Sequence, residues 1–431
     1  MKFIEIKEAF SSIGKEVSIR GWVYRIRKTK NLVFIVLRDS TGIIQSVFSK
    51  DSFNDDEWES LNNLGIEASM FIKGKPLRQE KAPGEVEIQA ESFKIIGESN
   101  NFPISKDFSP EFLADVRHLW LRSRKISSIL KIRSTVAGAI HEFFRKNGFY
   151  EFDAPVLQPN QCEGGSTLFE VKYYDKKLYL TQSWQLYAEA AIFALEKIYN
   201  FGPTFRAEKS RTNRHLSEFW MAEAEVAWFE LNDIIDLAKQ EIKFIINKVL
   251  ESNKEELKIL NQDYKKLQNI AEKEWPTITY DDALKILKEK DSMIVPWGKD
   301  LRTIEEDKLM SHFDTPVVVT NYPKEAMAFY KPKDPKKPET ALCFDMLAPE
   351  GYGEIIGGSQ RSTDLEELKE GLMREGEDIS NYEWYFDLRR YGSVPHSGYG
   401  VGVERVIAWL CHLDTVKDAI AFPRTMTRYR P

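Results

Sequence analysis

The chain has 431 residues, 42% hydrophobic and 30% charged, with a net charge of −6. That is ordinary for globular domains with sizeable cores and leaves room for two or three of them. No run approaches the roughly 18 apolar residues of a membrane span, so no membrane partner is expected, and the overall acidity alone argues against nucleic acid.

The N-terminus, MKFIEIKEAF, mixes charges among its apolar residues and lacks a signal-peptide core. Three distant cysteines, Cys162, Cys343 and Cys411, follow no metal spacing. Their odd, sparse number suits a reducing compartment, so a cytoplasmic location is expected. The distribution of charge says more than its sum. Residues 1–50 carry ten Lys and Arg against four Asp and Glu, and residues 51–60 carry five acids and no base. The chain opens on a basic island.

Short β-branched and aromatic runs, bounded by Gly, Pro, Asp or Ser, predict strands at Val17–Val23, Leu32–Arg38, Ile43–Val47, Ala68–Lys73 and Glu85–Gln89. Asp39-Ser-Thr-Gly42 predicts a hairpin and Trp58–Leu64 a short helix. Five strands with one helix after the third describe a Greek-key barrel of the OB type over residues 1–98. Such barrels bind single-stranded nucleic acid with aromatic platforms and a basic face. Residues 99–114, with their Asn, Ser, Asp and prolines, read as a linker or hinge.

A second domain, 115–431, opens with a helix over Ile126–Asn147, closed by Asn147-Gly148. A strand is predicted at Tyr150–Leu157, where Pro155 makes an edge suited to a subunit contact, or a bulge. A hairpin through Val171–Leu180 and a helix over Trp184–Leu195 follow. Asn232–Asn253 is an amphipathic helix, and residues 254–275 are charged, helical and expected to be solvated. Gly351–Gln360 is a glycine-rich strand; Leu365–Glu375 and Val406–His412 are helices. Strands and helices do not alternate regularly here. The fold class is therefore α+β, with an antiparallel sheet flanked by helices rather than a doubly wound parallel one.

Chemistry concentrates in FRAEKSRTNRHLSEFWMAEAE, residues 205–225, which begins with cations and ends with carboxylates. Arg206 and Glu208, two apart, would share one face of a strand: an Arg for a phosphate and a carboxylate for an exocyclic amine, or else a cross-strand ion pair. Phe219 reads as a platform for a purine or as a core residue; Trp220, of opposite parity, reads as core. No G-x-x-x-x-G-K-[ST] is present. Gly398, Gly400 and Gly402 alternate instead, which bares one strand face for a flat ligand, and Arg405 follows at the start of a helix.

These stretches carry a resemblance. FRAE and RHLSEF, with GYGVGVER downstream, resemble motifs 2 and 3 of class II aminoacyl-tRNA synthetases. GFYEFDAPVL (148–157) is similar to motif 1, whose proline lies at the dimer interface. The N-terminal barrel resembles that of the aspartate–asparagine–lysine subgroup. EGGSTLF (163–169), TQSWQLY (181–187), SRTNRHLSEFW (210–220) and RRYGSVPHSGYGVGVER (389–405) resemble its asparaginyl branch, in the compact archaeal and bacterial form. The resemblance spans nearly the whole chain and is weakest over 254–310.

The resemblance implies ATP-dependent activation of L-asparagine and its transfer to the 3′ end of tRNA(Asn) by a homodimer that uses Mg²⁺. By the same resemblance Arg206 would meet the ATP α-phosphate and Glu208 the adenine amino group. Phe219 would stack beneath the ring, with Gly402 and Arg405 closing the other face and Arg405 reaching the γ-phosphate. Arg214 and His215 would lie near the β- and γ-phosphates. Arg206 and Arg405 would be the catalytic cations. Glu354 would hold Mg²⁺, with Asp345; the Ser that aspartyl relatives carry three residues later is Gly357 here. Glu163 and Gln185 would hold the substrate's α-amino end and Arg361 its side-chain carbonyl. Glu223 would take the amide nitrogen, where aspartyl relatives have Asp. Glu225 belongs to the same end of the site and fits a metal or ribose better. A carboxylate facing a carboxamide accepts its hydrogens and repels the isosteric carboxylate of aspartate. In the barrel, Phe34 and Gln45 match positions that read the central anticodon base, with Arg25 and Arg27 on the backbone.

Three other readings stay open: an aspartyl enzyme that also charges tRNA(Asn), a tRNA-free asparagine synthetase on the same catalytic domain, and a non-catalytic RNA-binding or regulatory protein. The basic barrel counts against the second; Arg206, Glu208, Glu354 and Arg405 together count against the third.

Overall fold

The computed structural model describes residues 2–104, 108–163, 168–209 and 212–430. It divides into two compact units, Met1–Pro110 and Glu111–Pro431. Among the described residues no helix is long and apolar enough to cross a membrane.

In the first unit, strands Val17–Lys28, Leu32–Arg38, Ile43–Ser49, Ser69–Arg78 and Val86–Gly97 close into a barrel. Alternation drives it: Val33, Ile35 and Leu37 are buried while Phe34 and Val36 lie on the outer face. Ile19, Val23, Ile44, Phe48, Leu61, Ile72 and Ile88 fill the interior. The expected hairpin is held by Asp39, whose Oδ1 accepts from the N–H groups of Thr41 (2.7 Å) and Gly42 (3.0 Å). The helix is Asp55–Asn63, fixed by a reciprocal cap between Asn54 and Glu57.

In the second unit an eight-stranded sheet runs in the order Thr277–Thr279, Val317–Thr320, Cys343–Ala348, Gly353–Gln360, His396–Gly402, Glu218–Ala227, Lys197–Phe205, Tyr150–Glu151. The interior pairs are antiparallel and the two outermost pairs parallel. Helices Arg124–Lys146, Leu231–Ser252 and Val403–Leu410 share one core with the sheet; Ile132, Val136, Ile140 and Phe144 of the first are buried at helical spacing.

Three expectations need correction. Tyr150–Leu157 is not one strand: only Tyr150–Glu151 and Leu157–Gln158 pair, because Pro155 has no N–H to continue a ladder. Residues 254–275 are not simply solvated, since Leu257, Leu267, Ile270 and Trp275 pack into the main core from helices Lys254–Ile259 and Tyr264–Glu272 and the turn after them. The last long helix starts at Val403, three residues early, with Gly402 at its N-cap.

One buried acid gives the fold a pH dependence. Glu241, on the helix Leu231–Ser252, is fully buried, and its carboxyl Oε2 accepts from the Tyr399 hydroxyl at 2.5 Å. Burial pushes its carboxyl from 4.5 up to about 8. The folded chain therefore keeps a proton that the unfolded chain releases, and stability falls as pH rises from about 4.5 to 8. Denaturant melts at about pH 5.5 and pH 8 are expected to differ by a few kcal/mol from this group, and Glu241→Gln to flatten that slope.

Candidate active site

Sheet register assembles a cavity of about 330 Å³. One row across the sheet reads Asp345, Gly357, Gly400, Glu223, and the next reads Ser359, Gly398, Glu225. On the strand Glu218–Ala227, Phe219, Met221, Glu223 and Glu225 line the cavity, while Ala222 and Val226 join the core. Trp220 is half-buried against Phe201, with ring centroids 5.2 Å apart. The glycines do not bare the strand for a flat ligand along its length. A Cβ on Gly398 would lie 2.0 Å from Glu225 Oε2, and one on Gly400 would lie 2.2 Å from Met221 Cε. Their missing side chains make room for the neighbours' side chains, and Gly402 alone of the three has ordinary clearance.

At one end sits a buried ion pair. Arg361 Nε donates to Glu225 Oε1 at 2.9 Å, and a second guanidinium nitrogen donates to Oε2 at 2.8 Å. Its third engaged nitrogen donates to Ser359 Oγ at 2.8 Å. Two of the five guanidinium hydrogens remain for a ligand. Glu225 thus orients Arg361, and each of its oxygens already accepts one guanidinium hydrogen. Glu223 stands in the adjacent row. Ser183 Oγ donates to its Oε1 at 2.5 Å and the Trp184 N–H to its Oε2 at 3.2 Å, and burial pushes its carboxyl up to about 7. A carboxylate has about four acceptor sites, so capacity for an amide N–H is left. Glu163 Oε1 accepts from the Tyr330 hydroxyl at 3.1 Å.

Gln185 is fixed from behind. Its amide donates to Glu189 Oε1 at 3.0 Å, and the other oxygen of Glu189 accepts from Tyr385 (2.7 Å) and Arg389 (2.5 Å) and lies 3.0 Å from His396 Nε2. Glu189, Glu225 and His396 could converge on a metal ion. Arg361 and Arg389 already supply the positive charge there.

At the other end, Arg206 and Glu208 follow the strand Lys197–Phe205 rather than sharing a strand face, because pairing stops at Phe205. The Arg206 guanidinium lies 5.5 Å from the Phe219 ring centroid, and its buried Nε has no hydrogen-bond partner among the described residues. His215 Nε2 is 3.6 Å from Glu208, and burial together with Arg405 lowers its pKa. Arg214 reaches the cavity, but its fork is held by Asp307 (2.5 Å), Glu306 (3.4 Å) and the Gly351 carbonyl. Arg405, in the first turn of its helix, donates to the Glu354 carbonyl at 2.6 Å and carboxylate at 3.1 Å.

Two carboxylates face Gly357: a Cβ there would lie 2.8 Å from Glu354 Oε1 and 3.6 Å from Asp345 Oδ1. Burial raises the Glu354 pKa, but Arg405, Arg206 and Lys331 outweigh it and hold it low; burial and Glu354 push Asp345 well up. A pair of which one member resists ionisation is suited to a divalent cation, and Mg²⁺ takes one or two carboxylates alongside phosphates. The donor set fits.

On the barrel, Arg27 lies over the Phe34 ring at 4.3 Å, and Gln45 donates to Glu87 at 2.9 Å. Phe34 is on the outer face, not in the core. Arg25 pairs with Val36, which pairs with Gln45, so Arg25, Arg27, Phe34 and Gln45 share one region of the barrel surface. Pro155 is exposed. Sequence reasoning missed Ser183, Glu189, Tyr330, Lys331 and Glu87; Ser183, Glu189, Tyr330 and Glu87 have partners distant in the chain, Lys331 reaches the cavity from an irregular loop, and no local pattern marks any of them.

Comparison with known proteins identifies the family of both units. A family model described as tRNA synthetases class II (D, K and N) matches residues 109–426, and one for an OB-fold nucleic acid binding domain matches 17–96. An asparagine–tRNA ligase of Thermococcus gammatolerans is 48% identical over 97% of this chain and 96% of its own length. One from Pelotomaculum thermopropionicum is 42% identical over 100% of both. The structure of an asparaginyl-tRNA synthetase from Pyrococcus horikoshii complexed with asparaginyl-adenylate superposes with a TM-score of 0.96 at 44% identity, covering 100% of both chains.

Proposed function

The chain belongs to the class II aminoacyl-tRNA synthetases of the aspartate, lysine and asparagine group, and from that premise we propose how its site works. It activates L-asparagine with ATP to asparaginyl-adenylate and transfers the asparaginyl group to the 3′ end of tRNA(Asn). The observation that carries this reading is that Glu223 and the Glu225-clamped Arg361 line the same cavity. Arg361 offers donors to a carbonyl oxygen and Glu223 acceptors to an NH₂. Together they read a carboxamide.

Glu163 and Gln185 hold the α-amino group. Arg206 and Arg405 bind the phosphates, Phe219 and Gly402 border the adenine and Glu208 its amino group, with Arg214 and His215 beside the outer phosphates. The substrate carboxylate is already an anion and needs no base. One of its oxygens bonds to the α-phosphorus as the bond to pyrophosphate breaks, and the tRNA 3′-hydroxyl then displaces AMP. Glu354 and Asp345 would hold Mg²⁺, which when bound neutralises phosphate charge. The barrel, residues 1–98, takes the anticodon through Phe34, Gln45, Arg25 and Arg27. The exposed apolar surface at Tyr150, Pro155, Val156 and Leu157 supports a homodimer. The buried, free cysteines are consistent with the cytoplasm.

Aminoacylation tests this reading. The protein is expected to charge a tRNA(Asn) transcript with asparagine and to lose at least about tenfold when the central anticodon base is changed. Failure to charge the intact transcript would overturn it. Glu223→Asp, which withdraws the carboxylate by about one methylene, is expected to cut kcat/KM for asparagine about 10²-fold while leaving KM for ATP nearly unchanged in pyrophosphate exchange. Equal losses for both substrates would show that Glu223 does not select the amino acid.

A further inference from the structure

Between Met327 and Pro332 the chain forms neither helix nor strand, yet it is pinned residue by residue. The Phe329 N–H donates to Glu375 Oε1 at 2.8 Å, and the Ser362 N–H donates to the Tyr330 carbonyl at 2.8 Å. The Lys331 carbonyl accepts from the buried ammonium of Lys324, which lies 3.5 Å from Glu367. The Leu342 N–H donates to the Pro332 carbonyl at 2.9 Å. These bonds fix the backbone on both sides of Tyr330 and Lys331.

It delivers Tyr330 and Lys331 to the cavity. Tyr330 has its partners: the hydroxyl donates to Glu163, and Arg361 lies 5.1 Å from the ring centroid. Lys331 does not. Among the described residues its ammonium meets only the Met327 thioether, at 3.5 Å, a weak acceptor. Among the described residues no carboxylate lies within 4.0 Å of it. Burial disfavours its charge, but Cys343, Asp345, Glu163 and Glu354 outweigh burial and keep it an ammonium. Glu163 stands at the amino-acid end of the cavity; Asp345 and Glu354 stand at the phosphate end. Lys331 lines the same cavity as all three, with hydrogens to give and, among the described residues, no protein oxygen to receive them.

We propose that Lys331 is a further catalytic residue, whose ammonium bridges the attacking α-carboxylate of the bound amino acid and the α-phosphate of ATP. This rests on the functional reading above. A carboxylate oxygen bonds to phosphorus, the bond to pyrophosphate breaks with its electron pair, and Lys331 keeps its proton throughout. Its hydrogen bonds hold two mutually repelling anions in line. The rival role is a counter-charge for Asp345 and Glu354 that never touches substrate.

Two ligands separate these roles: L-asparagine, and L-asparaginol, which lacks the carboxylate. Lys331→Met is expected to slow asparagine-dependent pyrophosphate exchange about 10²-fold. It is expected to weaken L-asparagine binding in calorimetry about tenfold while leaving L-asparaginol unchanged, and added ethylammonium to restore part of the exchange rate. Equal weakening of both ligands, or an unchanged exchange rate, would overturn the proposal. Should the methionine variant fail to fold, Lys331→Gln is read the same way. A wild-type protein without asparagine-dependent exchange would defeat the functional reading itself, whereas an active wild type with a fully active Lys331→Met would defeat the lysine alone.

Discussion

Arg206→Ala is expected to lower asparagine-dependent pyrophosphate exchange by about 10²–10³-fold, mostly in kcat. Arg206 is half-buried in the cavity. Its Nε is buried without a hydrogen-bond partner among the described residues, Phe219 flanks the guanidinium, and Glu163, Glu354 and Glu208 favour its charged form against the cost of burial. Arg214 and Arg405 are not free to take its place. Arg214 is tied to Asp307, Glu306 and Gly351, and Arg405 to Glu354. Arg206→Lys is expected to recover only part of the rate, because an ammonium keeps the charge but lacks the planar fork. Exchange kinetics with ATP and asparagine varied separately read this out. A loss confined to KM for ATP would mean that Arg206 binds the nucleotide in the ground state and not in the transition state.

The second large effect is expected at Glu225. Removing one member of a buried, bidentate ion pair leaves the other charge unpaired and costs about 3–5 kcal/mol. Glu225→Ala should therefore destabilise the catalytic unit by that order and abolish asparagine activation, since Arg361 loses both bonds that orient it. Denaturant unfolding of the variant checks the first part and pyrophosphate exchange the second. Pairing the change with Arg361→Met is expected to recover stability but not activity. If the double variant were as unstable as the single, packing rather than the lost partner would carry the effect.

What could be read in the chain beforehand was whatever is local. The barrel strands alternate cleanly, and the helix Arg124–Lys146 has an unbroken apolar stripe, so both were legible to within a few residues at most ends. The glycine run 398–402 was visible, but its purpose was not. Gly398 and Gly400 serve Glu225, Arg361 and Met221, which reach them across the sheet register. The row Asp345, Gly357, Gly400, Glu223 joins strands far apart in the chain, and nothing local announces it. Ser183, Glu189 and Lys331 were missed for the same reason. Arg206 and Glu208 were placed on a strand because alternation alone cannot show where pairing stops. Pro155 marked an irregularity at 150–157 but not its extent, since the backbone leaves the large sheet after Glu151 and next pairs at Leu157–Gln158 in a separate three-stranded sheet.

The central claim is that this cavity recognises the carboxamide of asparagine and activates its α-carboxylate. ATP–pyrophosphate exchange by the purified protein, with asparagine and aspartate run side by side, tests it most directly. Asparagine is expected to drive exchange with a kcat/KM at least about tenfold above that of aspartate, a difference of about 1.4 kcal/mol in transition-state binding. Exchange that aspartate drives as well as asparagine, or that neither amino acid stimulates, would contradict it.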